Sequence, residues 1–153
     1  MEALMGIQYV HTNIIAKDWK ALAQFYTKVF NCKQYGPERN LSGEWIEDMT
    51  GVKNVKVKGV HLTLPGYEKE PTLEIFSYEP QGESLPSSIN RIGLGHLAFH
   101  VDSVEEILEK VIAHGGKPYG KLIKKQYETL GDLTAIYATD PEGNLIEIQN
   151  WKR

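Results

Sequence analysis

Apolar residues recur along the chain in two rhythms, one of about two residues and one of three to four. From Ile7 to Ile15 (IQYVHTNII) the alternation predicts a strand. Asp18 follows as a helix N-cap, its carboxylate able to accept from unpaired backbone N–H groups. Trp19, Leu22, Ala23, Tyr26, Val29 and Phe30 then recur at helical spacing, to an end near Asn31. Gln34 to Asn54 is broken by the turn signals Gly36-Pro37 and Ser42-Gly43, with a short strand expected around Trp45. Val55 to Leu64, stopped by Pro65-Gly66, and Pro71 to Tyr78 (PTLEIFSY) read as two further strands.

Glu79 to Arg91 (EPQGESLPSSINR) is linker-like, rich in Pro, Ser and Gly. The pattern then starts again. Leu94 to Val101 (LGHLAFHV) reads as a strand, and Ser103 with Glu106 is a capping box for the next helix. Ile107, Leu108, Val111 and Ile112 form its apolar stripe, and Gly115-Gly116 ends it. Leu122 to Tyr127, Leu133 to Thr139 and Leu145 to Trp151 are strands, with Asp140-Pro141-Glu142-Gly143 turning between the last two. The chain is thus expected to be one domain (1–153) of two similar halves, residues 7–78 and 94–151, joined by linker 79–93. Each half reads strand, helix, then about three strands.

The repeat singles out four polar residues. Each half has a histidine in its first strand and a glutamate in its last: His11 and Glu74, then His96 and Glu147. His96 follows His11 by 85 positions (96 − 11), and Glu147 follows Glu74 by 73 (147 − 74). The first half therefore holds about twelve more residues between its histidine and its glutamate, which fall around Gln34 to Asn54. Strand side chains alternate between faces. Leu97, Phe99 and Val101 share a face suited to packing under a helix, which leaves His96, Ala98 and His100 on the other, concave side. Glu74 is flanked by Leu73 and Ile75, and Glu147 by Ile146 and Ile148, so both should face the same way as the histidines. Two neutral imidazoles and two carboxylates on one surface suit one divalent ion, with Zn, Ni, Mn, Fe and Co all open.

The remaining candidates read differently. A single strand histidine is more often hydrogen-bonded or exposed than a ligand. His100 has only Ile15 as its counterpart and reads as pocket lining. His61 has no repeat partner and reads as core or surface. His114 closes a helix, where a partly positive imidazole is favoured by the dipole. Cys32 has no motif around it and reads as an inert thiol. Trp45, Tyr78 and Trp151 could shape a pocket or pack the core.

Composition adds limits. A net charge of −3 and interspersed Lys, Asp and Glu give no pull toward nucleic acid or anionic lipid. One cysteine in 153 residues cannot form an internal disulfide, which fits a reducing compartment. Met1 to Gly6 shows neither a basic segment nor a long apolar core of a leader, and no apolar run nears the roughly 20 residues of a membrane span. A cytoplasmic protein is expected.

HTNIIAKDWKALAQFYTKVFNCK, LEIFSY, GLGHLAFHVDSVEEILEKVIAHGG and YATDPEGNLIEIQNW together resemble the vicinal oxygen chelate superfamily, which includes glyoxalase I. The resemblance spans nearly the whole chain. It implies an α+β fold of paired βαβββ modules, forming a concave, incompletely closed mixed β-sheet with helices outside. It also implies metal ligands in the first and last strand of each module, falling on His11, Glu74, His96 and Glu147. Glyoxalase I commonly carries an arginine four residues after its first ligand and an asparagine four after its second, where this chain has Ile15 and Tyr78. Methylmalonyl-CoA epimerases are also similar, but Gly95 stands where their paired histidine would precede His96.

The activity implied is that of a divalent-metal-dependent isomerase or lyase acting on a small oxygenated substrate. The metal would stabilise an enediolate, and Glu147 or Glu74 would take and return a proton. The alternatives are an Fe(II) or Mn(II) dioxygenase using His11, His96 and Glu147, and a non-catalytic small-molecule binding protein. A homodimer is expected.

Overall fold

A computed structural model describes residues 6–153. The expectation of no leader segment at Met1 to Gly6 rests mainly on residues outside those described. The chain divides into two compact units. One contains the residues up to Ala23 with Asn31–Gly82, and the other contains Gln24–Phe30 with Glu83–Arg153.

In the first unit, strand β1 (His11–Ile15) leads into helix α1 (Trp19–Phe30). The start of α1 is fixed by two side chains. Asp18 Oδ1 accepts from the Ala21 N–H at 3.1 Å, and Ser77 Oγ accepts from the Trp19 N–H at 3.1 Å. Short β2 (Lys33–Gln34) and β3 (Arg39–Ser42) follow, then helix α2 (Glu44–Thr50), β4 (Lys56–Thr63) and β5 (Thr72–Glu79). The sheet order is β1-β5-β4-β2, with β3 also pairing β4. β1 runs parallel to β5, and β4 is antiparallel to β5, β3 and β2. Leu62, Leu73, Ile75, Val57 and Val60 are almost fully buried and supply the apolar core of this sheet.

The strand expected around Trp45 is instead helix α2. Ser42 ends β3, Gly43 opens the helix, and Gly51 closes it in the left-handed region at φ 74°. Glu44 and Glu47 in the first turn complement the positive end of the helix dipole. Only Ile46 is buried, so this seven-residue helix has no apolar stripe long enough to register as helical periodicity.

The second unit contains β6 (Leu97–His100), α3 (Val104–Ala113), β7 (Lys117–Tyr127), β8 (Gly131–Thr139) and β9 (Leu145–Lys152). Its sheet order is β6-β9-β8-β7, with β6 parallel to β9 and the other pairs antiparallel. Ser103 caps α3, its Oγ accepting from the Glu106 N–H at 3.2 Å, as the capping-box signal predicts. At the other end the His114 ring nitrogen Nδ1 lies 2.9 Å from the Lys110 carbonyl, a structural role. The C-terminal part of α1 belongs to this unit. Phe30 stacks on Phe99 with ring centroids 4.1 Å apart, and the Tyr26 hydroxyl donates to Asp140 Oδ2 at 2.8 Å.

Each unit thus carries its own mixed sheet, and neither sheet closes into a barrel. Both repeat one rule: the first strand lies parallel beside the last, and the last is antiparallel to the strand before it. This is the expected α+β class, with hydrogen bonding dividing the strands into two sheets. Among the described residues, no helix is long and apolar enough to cross a membrane.

Candidate metal centre

The four sequence-predicted ligands fall into two pairs, one in each half, and the pairs are built alike. His11 opens β1 opposite Thr72, two positions before Glu74 on β5. Continuing the β6–β9 register one step back from Leu97 opposite Ile146 sets His96 opposite Leu145, two positions before Glu147. Two residues along a strand return to the same face, so each histidine meets its glutamate diagonally across a parallel ladder. His11 Nε2 lies 3.4 Å from Glu74 Oε1, and His96 Nε2 lies 3.3 Å from Glu147 Oε1.

The carboxylates are also held from the side. The Asn13 amide, directly opposite Glu74, donates to its Oε1 at 2.7 Å. Gln149, two residues beyond Glu147 on the same strand, donates to Glu147 Oε2 at 3.1 Å. Glu74 is the more enclosed, its side chain 12% exposed against 18% for Glu147.

His61, read from the sequence as core or surface, is part of the first half's cluster. It lies on β4 directly opposite Glu74, with Nε2 2.7 Å from Glu74 Oε2. Its Nδ1 stands 3.0 Å from the buried Thr72 hydroxyl. Burial is the main cause that lowers the His61 pKa below the usual 6.5, helped by the nearby Arg39 and His11 charges and opposed by Glu74. A neutral imidazole is the form that can bind a metal. The equivalent place in the second half is Tyr137, directly opposite Glu147 and edge-to-face with His96 at 4.9 Å between ring centroids.

The other expectations divide. His100 is exposed and stands opposite Gln149. Trp45 lies exposed on α2, and Tyr78 packs against the buried cluster of Ile46, Val55, Val57 and Phe76. Trp151 contacts the Tyr127 ring and the Arg153 guanidinium. Cys32 is fully buried, and burial pushes its thiol up to about 12. That makes it the inert thiol expected.

The first half's donor set fits a divalent cation. One donor atom from each of His11, His61 and Glu74 lies within 4.8 Å of the others. Ligands bonded at about 2.0–2.2 Å to such an ion stand roughly 3 Å apart; His61 Nε2 lies 2.7 Å from Glu74 Oε2, and His11 Nε2 3.4 Å from the other oxygen, Oε1. Imidazole nitrogen and carboxylate oxygen together suit Zn, Mn, Fe, Co or Ni.

The fold is thus α+β, built of two half-repeats that each place a histidine at the start of the first strand beside a glutamate of the last. The chain belongs to the glyoxalase/bleomycin resistance protein/dioxygenase superfamily, whose model matches residues 8–148. Among solved structures it is similar to a glyoxalase family protein from Bacillus cereus, with a TM-score of 0.80 and 20% identity over 99% of this chain and 97% of that one. It is also similar to the fosfomycin resistance protein FosX from Listeria monocytogenes, solved in complex with Mn(II) and sulfate ion. There the TM-score is 0.55, with 17% identity over 98% of this chain and 95% of that one. At these identities the likeness is one of fold. Biphenyl-2,3-diol 1,2-dioxygenase 3 of Rhodococcus globerulus is 26% identical over 107 residues, 69% of this chain. The match spans about half, 54%, of that protein's length.

Proposed function

We propose that the chain is a divalent-metal-dependent isomerase or lyase acting on a small oxygenated substrate, with His11, Glu74, His96 and Glu147 as metal ligands. The observation that carries this reading is the equal register offset of histidine and glutamate in both halves. The metal would supply Lewis acidity toward neighbouring oxygens of the substrate.

The protein's own part is proton transfer. Glu147 is the first choice of base: it is more exposed than Glu74, and His96 and Gln149 hold its two oxygens. It would take a proton from the carbon beside a carbonyl and return it to the neighbouring carbon, passing through an enediol. Glu74 would serve the same purpose from the other half. An ordinary carboxylate is a weak base at neutral pH, so the reaction needs an acidified C–H and little water near the carboxylate. The reading takes the chain as a single glyoxalase-like domain, a homodimer and cytoplasmic, in keeping with its buried free thiol.

Glu147→Gln tests the assignment. Proton-transfer turnover by the metal-reconstituted protein is expected to fall by more than about a hundredfold with the far-UV circular dichroism unchanged. Unchanged turnover would remove Glu147 from the mechanism.

The dioxygenase relative favours a second reading, in which His11, His96 and Glu147 form a two-histidine, one-carboxylate centre for ring cleavage of a catechol. Oxygen uptake coupled to catechol consumption by the Fe(II) or Mn(II) protein would replace the first reading with this one.

A further inference from the structure

The repeat accounts for two donors in each half, and His61 exceeds it. Three features separate His61 from an ordinary strand histidine. Its Nε2 approaches a carboxylate oxygen, Glu74 Oε2, that neither His11 nor Asn13 occupies. Its other nitrogen faces the buried Thr72 hydroxyl, the outer-shell contact that fixes ring orientation in metal-binding histidines. Its ring meets His11 edge-to-face at 5.4 Å between centroids, which brings both Nε2 atoms to the same carboxylate. In the second half Tyr137 takes this place. A phenol is a poorer ligand than an imidazole for a borderline dication.

The halves therefore offer unequal donor sets, three from the first and two from the second. We infer that His61 is itself a metal ligand, and that His11, His61 and Glu74 form a site for a divalent transition-metal ion complete within residues 11–74. This deepens the metal-centre reading above. Removing the second half's donors would then weaken binding without abolishing it, whereas removing His61 would cost affinity in every background.

Cobalt(II) titration of the full chain, followed by visible absorption and calorimetry, tests this. The forms compared are the parent protein, His61→Ala, His61→Gln, the double variant His96→Ala/Glu147→Gln, and that double variant with His61→Ala added. The double variant is expected to keep one Co(II) per chain. Adding His61→Ala to it should lower affinity by about a hundredfold or more, and His61→Ala alone should shift the Co(II) absorption bands. His61→Gln, of similar size and able to keep the Thr72 contact, guards against misfolding and should lose affinity likewise. The inference is overturned if the double variant binds no Co(II), or if the His61 variants keep the parent's affinity and spectrum. Metal binding as described here without turnover on any substrate would sink the enzyme reading and leave His61 a ligand. Turnover with metal binding indifferent to His61 would do the reverse.

Discussion

His61 and Glu74 face each other across the β4–β5 ladder with Nε2 2.7 Å from Oε2. Glu74 thereby receives contacts from both neighbouring strands: Asn13 and His11 from β1 on Oε1, and His61 from β4 on Oε2. Holding both carboxylate oxygens lowers the entropy that metal binding would otherwise have to remove, so the contacts around Glu74 should be felt in affinity.

Asn13 is the simplest of these to remove. Asn13→Ala deletes the amide that donates to Glu74 Oε1 at 2.7 Å and leaves the His11 and His61 imidazoles in place. Calorimetric titration with Mn(II) or Co(II) is expected to show affinity reduced by about tenfold. An unchanged binding isotherm would mean the amide does not orient the carboxylate.

Gly59 controls how closely β4 and β5 approach. It stands opposite Phe76, two residues from His61 on the same strand, and a Cβ there would lie 2.0 Å from the Ile75 carbonyl oxygen and 2.4 Å from Phe76 Cδ1. Backbone cannot yield that much without moving the strand. Gly59→Ala is expected to cost about 3 kcal/mol of stability and to weaken metal binding through displacement of His61. Urea unfolding with an unaltered midpoint would contradict the close packing described.

Asp140 ties the turn before β9 to α1. Its Oδ1 accepts from the backbone N–H groups of Glu142 and Asn144 at 2.9 and 3.0 Å, and its Oδ2 accepts from Tyr26 at 2.8 Å. Asp140→Ala removes the acceptor of the buried Tyr26 hydroxyl's bond and of the Glu142 and Asn144 N–H bonds, and is expected to lower stability by roughly 1–3 kcal/mol at pH 7. Burial raises the Asp140 pKa above its ordinary 3.8, against the hydrogen bonds from Tyr26, Asn144 and Glu142. Between 3.8 and that raised value the folded protein keeps a proton that the unfolded chain has released. The contribution of this group to stability is therefore fullest below 3.8 and declines as pH rises through the window. Thermal melts of the parent and Asp140→Asn across that range should differ in slope in this sense. Parallel curves would contradict the assignment.

Much of the candidate site is legible in the sequence because histidine and glutamate lie among alternating apolar residues. Leu73 and Ile75, and Ile146 and Ile148, are fully buried, which fixes the face left to Glu74 and Glu147. His61 was hidden by turn length. It precedes Glu74 by 13 residues (74 − 61), whereas Tyr137 precedes Glu147 by 10 (147 − 137), so a constant offset never aligns the two positions. Only the register of the antiparallel ladder shows their equivalence. The signal available in sequence was one strand up from the glutamate: Val60 and Leu62 on one face of β4, His61 on the other. Helix α2 escaped for a different reason. It is bounded by glycines and buries only Ile46, and a single buried position has no period.

If this chain holds one divalent metal ion through its histidines and glutamates, elemental analysis of the purified protein, repeated after stripping and reconstitution with Mn, Fe, Co, Ni or Zn, will find it. Close to one equivalent per chain is expected with at least one of these metals, and a clear fall in occupancy at limiting metal in Glu74→Ala. No bound metal under any of these conditions would contradict the metal-centre reading.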